Sequence, residues 1–320
     1  MKTLALNNGA TMPAFGLGTW KSAPGEVRAA VIEAVKLGYR HIDCAWIYGN
    51  EAEIGQALSE LFEQGVVGRD ELWITSKLWN DRHGPQDVEG ALRETLDNLG
   101  LERLDLYLIH WPIAFEKGVT FPETGAQMLS LEKAPISETW AAMEKLVDAG
   151  LCRSIGVSNF SVKKLASLLE TARIKPAANQ IELHPYLQQP KMVEFCQQHQ
   201  IALTAYSPLG SKDRPARLVN AGAPVLMDDP VVAQVASAHG VSSAQVLIAW
   251  ALERGTSVIP KSVNPARLAQ NLQAASLALT SQDMERLAGL DQHLRFVDGA
   301  FWARPDGPYT LANLWDEEVG

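Results

Sequence analysis

The sequence predicts one α/β domain over residues 1–320, folded as a (β/α)8 TIM barrel with an N-terminal β-hairpin cap. Three observations predict it. A short apolar strand, a loop and an amphipathic helix recur about eight times, at a spacing of roughly 25–50 residues. Strand and helix alternate, which calls for a parallel sheet. The long irregular stretches 112–136 and 208–230 both follow strand ends, the face on which such barrels build their sites. Eight units favour a closed barrel over an open, doubly wound sheet.

The elements follow in order. Thr3-Leu4-Ala5-Leu6, Asn8-Gly9 and Thr11-Met12 predict a hairpin with a two-residue turn. Strands are expected at 15–18, 40–43, 72–75, 104–109, 154–157, 178–181, 202–205 and 257–259. A helix from Val88 to Leu99 should stop at Gly100, and one from Ser137 to Leu146 should end near Gly150. Ser161 can cap the helix through Leu165 and Leu168. Asn264-Pro265 pairs a capping side chain with a first-turn proline. The tail from 294 to 320 shows no strong periodicity. Gly16-Leu17-Gly18-Thr19-Trp20 has Lys21 where a Gly-x-Gly-x-x-Gly fingerprint needs glycine, so these glycines point to close backbone approach.

Composition narrows the function classes. Hydrophobic residues form 47% of the chain, enough for a sizeable core rather than disorder. A formal net charge of −9 and no Lys/Arg-rich run argue against nucleic acid or an anionic membrane as partner. An anionic ligand then needs a local basic pocket. Cys44, Cys152 and Cys196 are too few and too irregular for a disulfide framework or a zinc site, which fits a reducing cytoplasm. Residues 1–9 lack the character of a signal peptide, and no stretch approaches the length of a membrane span.

On these strand assignments Asp43, Lys77 and His110 stand at or just after successive strand ends, with Tyr48 in the loop after Asp43. Singly, each has a bland reading: a packed tyrosine, a solvated lysine, a hydrogen-bonded structural histidine. Together they make a chemical group. A lysine beside a phenol favours phenolate and lowers its pKa from about 10. A carboxylate holds that lysine protonated, and a neutral imidazole can orient a carbonyl oxygen. The group can polarise C=O and protonate it. None is an obvious nucleophile, so a hydride must come from a cofactor.

The segment from His41 to Glu51 resembles the second-strand signature of the aldo-keto reductase family. Ile74 to Trp79 and Leu106 to Pro112 resemble its third and fourth strands. Ile155 to Phe160, Asn179 to Glu182, Ala205 to Gly210 and Ile259 to Val263 resemble the remaining motifs, in order. The resemblance runs from about residue 4 to 300 and implies roles. Tyr48 donates the proton, Lys77 tunes it, Asp43 pairs with Lys77, and His110 orients the carbonyl. Ser158, Asn159 and Gln180 bind the nicotinamide carboxamide, with Tyr206 stacked on the ring. Ser207, Pro208, Leu209 and Ser211 line the pyrophosphate, and Asp213 helps close a loop over it. Gly18, Thr19, Trp20, Asp43, Ile259, Pro260 and Val263 complete the cofactor lining. His110 sets the chain apart from the family's steroid double-bond reductases, which resemble it with Glu there. Cys44 departs from the family's usual Thr and points to a packing adjustment.

The residues themselves bear on cofactor choice. Lys261 and Ser262 close the last strand, Asn264-Pro265 opens a helix, and Arg267 lies in its first turn. A helix N-terminus with two added cations suits a 2′-phosphate, which favours NADPH/NADP+ over NADH. By resemblance Gln270 and Asn271 meet the adenine, Gln270 departing from the usual Glu. Trp20, Ile47, Tyr48, Trp79, His110, Trp111, Phe121 and Trp302 are expected around the substrate, an aromatic pocket suited to aldehydes with apolar bodies. The expected partner is a small-molecule carbonyl compound and the expected state a monomer. A sugar or keto-acid reductase and a cofactor-sensing regulatory subunit are the alternatives.

Overall fold

The computed structural model describes residues 2–212, 214 and 222–316. Eight parallel strands form one sheet in which chain order is spatial order. They are β3 (Leu17–Gly18), β4 (His41–Asp43), β5 (Trp73–Leu78), β6 (Leu104–Ile109), β9 (Cys152–Ser158), β10 (Ala178–Glu182), β11 (Ala202–Tyr206) and β12 (Ser257–Val258). Every residue of β5, β6 and β10 is buried. Burial on both faces explains why β6 reads as a nearly continuous apolar run, interrupted only by Asp105, rather than an alternating one. The first and last strands also meet. Parallel bridges join Phe15 to Val258 and Gly18 to Lys261. A Cβ on Gly18 would stand 2.7 Å from the Ile259 carbonyl oxygen, and one on Gly16 2.8 Å from His41 Cγ. The two glycines are thus required by close approach, as their sequence context indicates.

The helices are α1 (Glu26–Leu37), α2 (Glu51–Glu63), α3 (Val88–Leu99), α4 (Ile136–Asp148), α5 (Val162–Thr171), α6 (Pro190–His199), α7 (Pro230–His239), α8 (Ser243–Glu253), α9 (Pro265–Gln273), α10 (Ser281–Ala288) and α11 (Leu311–Trp315). α3 buries Val88, Ala91, Leu92, Thr95, Leu96 and Leu99, a single stripe at helical spacing. It ends where Gly100 turns left-handed at φ 64°. Ser161 accepts from Lys164 N at 3.1 Å and Asn264 from Arg267 N at 3.1 Å, so both expected caps form. Among the described residues no single helix is long and apolar enough to cross a membrane.

β1 (Thr3–Ala5) and β2 (Thr11–Pro13) pair antiparallel, but their connection corrects the two-residue turn. Leu6 N donates to Ala10 O, and Gly9 N donates back to Leu6 O at 3.0 Å. The loop is therefore Asn7-Asn8-Gly9, with Gly9 at φ 84° in the bulge position that glycine tolerates. Leu6 and Met12 pack with Trp73, Leu106, Leu108, Ala177 and Ala178. β5 runs three residues past its expected end, so Lys77 lies inside the strand. The irregular stretch 112–136 contains a short ladder, β7 (Ala114–Phe115) against β8 (Met128–Leu129). Two-residue strands are too short to show a period in sequence.

Candidate active site

Asp43 ends β4, Lys77 is the penultimate residue of β5, and His110 follows β6 directly. Parallel pairing sets His41 to Asp43 beside Trp73 to Thr75, and Lys77 beside Leu108. Tyr48 closes a 3-10 turn, Trp46–Tyr48, that leaves the end of β4. The sheet register therefore brings four residues together that the chain separates.

Lys77 is 1% exposed, and its ammonium has three oxygens around it. Nζ donates to Asp43 Oδ1 at 2.6 Å, to the Cys44 carbonyl at 2.8 Å and to Tyr48 Oη at 3.4 Å. All three donors of the ammonium are used, which fixes its position. Burial alone would lower the lysine pKa, but Asp43 and then Tyr48 outweigh it and raise it above its ordinary value. Lys77 stays charged.

The tyrosine corrects one expectation. Burial is the largest influence on Tyr48 and raises its pKa, while the Lys77 charge pulls it down; the net direction is upward. Lys77 thus acts in the expected sense without bringing the phenol below its ordinary value. His110 goes the other way. Burial, reinforced by the Lys77 charge, holds it well below its ordinary value, so its imidazole is neutral at neutral pH. Its ring stands edge-on to Tyr48 and to Trp79, with centroids 5.9 Å and 5.1 Å away.

The residues expected around a nicotinamide form one bonded patch. Gln180 Nε2 donates to Asp43 Oδ2 at 2.6 Å, and Ser158 Oγ donates to the Gln180 carbonyl at 2.8 Å. Asn159, at φ 63°, donates to the His110 carbonyl at 2.9 Å. Tyr206 Oη donates to Asn159 Oδ1 at 2.7 Å. Thr19 Oγ1 reaches the Asp43 carbonyl at 2.8 Å. Ser207 and Ser211, both left-handed, meet through their hydroxyls at 2.8 Å, while Pro208 is buried and Leu209 packs on the core. Asp213 lies outside the described residues.

The second basic site sits at the start of α9. The bridge to Gly18 places Lys261, after Ile259 and Pro260, beside the first strand, and its Nζ donates to the Lys21 carbonyl at 3.3 Å. Ser262 Oγ accepts from Asn264 N at 3.1 Å, with half-buried Val263 between them. Arg267 is exposed, and its guanidinium has no ion pair among the described residues. Two cations at a helix N-terminus, one with no carboxylate partner, fit a phosphate group. Gln270 is exposed and Asn271 is buried in the same helix.

An aromatic wall rises beside His110. Trp302 lies 5.9 Å from Trp79, 6.0 Å from Trp111 and 5.3 Å from Phe115, centroid to centroid. Phe121 stacks edge-on to Trp79 at 5.8 Å and is 55% exposed, the profile of a rim residue. Ile47 and Phe121 share the lining of a cavity of about 370 Å³. Trp20 makes no ring-to-ring contact with this wall among the described residues; its ring faces the Lys21 ammonium at 4.4 Å. Cys44 is fully buried in the core with its thiol pushed well up by burial, as a packing residue would be.

Two buried carboxylates beside the site went unassigned in sequence. Glu51 Oε1 accepts from Ser76 Oγ at 2.6 Å, directly behind Lys77, and burial pushes its pKa up to about 7. Glu182 is bonded to the backbone of the C-terminal segment. Glu182 follows Gln180 by one strand repeat, a spacing that was an available signal, whereas Glu51 opens α2 after a left-handed Gly49 and had no such periodicity to mark it.

A sequence model described as "Aldo/keto reductase family" matches residues 12–292. The chain is 58% identical over 317 residues to "Aldo/keto reductase slr0942" of Synechocystis sp., covering 99% of this chain and 97% of that protein. It is 48% identical over 296 residues to "Aldo-keto reductase family 1 member A1" of Bos taurus, covering 92% and 90%. The solved aldose reductase of Schistosoma japonicum superimposes with a TM-score of 0.87 at 40% identity, covering 97% of this chain and 99% of that one. The strand order, the cluster of Asp43, Tyr48, Lys77 and His110 and these relatives agree: the chain belongs to the aldo-keto reductase family of oxidoreductases.

Proposed function

We propose that this protein reduces aldehydes to alcohols with NADPH, and that it also accepts small reactive dicarbonyls and some ketones. The observation that carries the reading is the Asp43–Lys77–Tyr48 chain, with neutral His110 facing the tyrosine ring. A carbonyl oxygen between Tyr48 and His110 meets a hydroxyl that is protonated at neutral pH and an imidazole free to donate a hydrogen bond. As negative charge grows on that oxygen, Tyr48 transfers its proton to it. Lys77 stabilises the resulting phenolate, and Asp43 keeps the lysine charged and in place. A reduced nicotinamide, when bound, would supply the hydride. Ser158, Asn159, Gln180 and Tyr206 are the residues that would hold its ring end, and Lys261, Ser262, Asn264 and Arg267 its 2′-phosphate.

The aromatic wall of Trp79, Trp111 and Trp302 supports an apolar substrate body. The bridges between β3 and β12 support reading the sheet as a closed (β/α)8 barrel, and the contacts of Leu6 and Met12 support the hairpin as a cap on it. A monomer in the cytoplasm is part of the same reading. The test is loss of NADPH absorbance with a panel of aldehydes, dicarbonyls, sugars and keto acids. Apolar aldehydes should give the highest kcat/KM. Preference for sugars or keto acids would replace the substrate assignment, and no turnover with any carbonyl would sink the enzyme reading.

A further inference from the structure

Glu182 ends β10, two residues after Gln180 and on the same face of the strand. It is 1% exposed. A carboxylate in such a place is costly unless its oxygens are fully engaged. Oε1 accepts from Phe296 N at 2.6 Å and faces His184 Nε2 at 2.8 Å, and Oε2 accepts from Val297 N at 2.8 Å. His184 is itself buried, and its ring lies 4.9 Å from that of Phe296. One carboxylate therefore grips two consecutive backbone amides of a remote segment. From Val297 the chain runs directly to Trp302, whose ring touches Trp79, Trp111 and Phe115. The far end of the segment is held separately, by Lys164 Nζ on the carbonyls of Asn313 at 2.7 Å and Leu314 at 3.0 Å.

We propose that Glu182 is a positioning residue for substrate selection: its grip on Phe296 and Val297 sets where Trp302 stands as the pocket wall. This rests on the reduction reading above for the identity of the pocket. Glu182 touches neither the reacting carbonyl nor the proton donor. Its effect falls on substrates large enough to lean on Trp302 and spares those that reach only Tyr48 and His110.

The test is Glu182→Gln in the full chain. The amide keeps the size of the side chain but turns one acceptor into a donor facing donors. KM for a bulky aromatic aldehyde should rise about tenfold, the scale of one lost charge-assisted hydrogen bond, while both constants for a small dicarbonyl change less than about threefold. In a Trp302→Ala background the same substitution should add little, because the wall it positions is gone. Equal effects on large and small substrates, or full additivity with Trp302→Ala, would overturn the proposal. Amide exchange in the unsubstituted protein gives a reading that needs no variant to fold. Phe296 and Val297 should exchange as slowly as β10, and rapid exchange would also overturn it. If the unsubstituted protein turned over no carbonyl, the reduction reading would fall, while slow exchange would still report the anchor.

Discussion

Gln180 and Lys77 meet on opposite oxygens of Asp43, each at 2.6 Å. A residue expected at the nicotinamide and the residue proposed to stabilise the phenolate are thereby tied through one buried carboxylate. The arrangement joins β4, β5 and β10 inside the sheet. In the proposed mechanism it makes Asp43 the place where cofactor positioning and proton transfer share a part.

Asp43→Asn should therefore cost both stability and rate. It leaves the Lys77 ammonium, 1% exposed, without its counter-charge. Removing one partner of a buried ion pair costs about 3–5 kcal/mol. Urea unfolding of the variant should show a loss of that order together with slowed reduction. An unchanged midpoint would mean that the pair contributes nothing net to the fold.

Tyr48→Phe removes the proposed proton donor and leaves the residues proposed to hold the cofactor unchanged. Turnover should fall by about 10²–10⁴-fold while NADPH affinity stays within about threefold. The unsubstituted enzyme should show a kcat for reduction that is flat from about pH 6 to about pH 9. Tyr48 is raised above its ordinary value and His110 held well below its own, so neither titrates in that window. Glu51, raised to about 7, does titrate there, so the profile is compared with that of Glu51→Gln: a limb that persists in this variant would assign the acid to another group.

Glu51 carries a stability that depends on pH. Burial raises its carboxyl from 4.5 to about 7, with the Ser76 hydrogen bond opposing. The folded chain therefore binds this proton more tightly than the unfolded chain. The contribution is full below about pH 4.5 and is lost as pH rises through about 7. Glu51→Gln, neutral throughout, should gain about 1–3 kcal/mol relative to the unsubstituted protein between pH 5 and pH 8. Chemical denaturation at the two pH values checks it. A difference that does not change with pH would mean that the carboxyl titrates normally.

Arg267→Ala bears on cofactor choice. An exposed guanidinium in the first turn of α9, with no carboxylate partner among the described residues, is placed for a phosphate. Its loss should reduce the ratio of kcat/KM with NADPH to that with NADH by about tenfold or more. An unchanged ratio would locate the 2′-phosphate elsewhere.

By itself the sequence determined the eight strands, their order, the caps at Ser161 and Asn264, and the identity of the residues at the strand ends. These rest on local physics: apolar runs, capping side chains and glycine stops are written within a few residues of where they act. Asp43, Lys77 and His110 were legible because each stands at or next to a strand end. Only the tertiary structure decided what those residues do to one another. The three-way contact of Lys77, the bond from Gln180 to Asp43 and the burial that outweighs Lys77 at Tyr48 all involve groups far apart in the chain. Glu182 shows the same limit: its partners, Phe296 and Val297, lie more than a hundred residues on, and no local pattern marks them. Hydrogen bonding and desolvation depend on what packs around a group, and that is set by the whole sheet rather than by neighbouring residues.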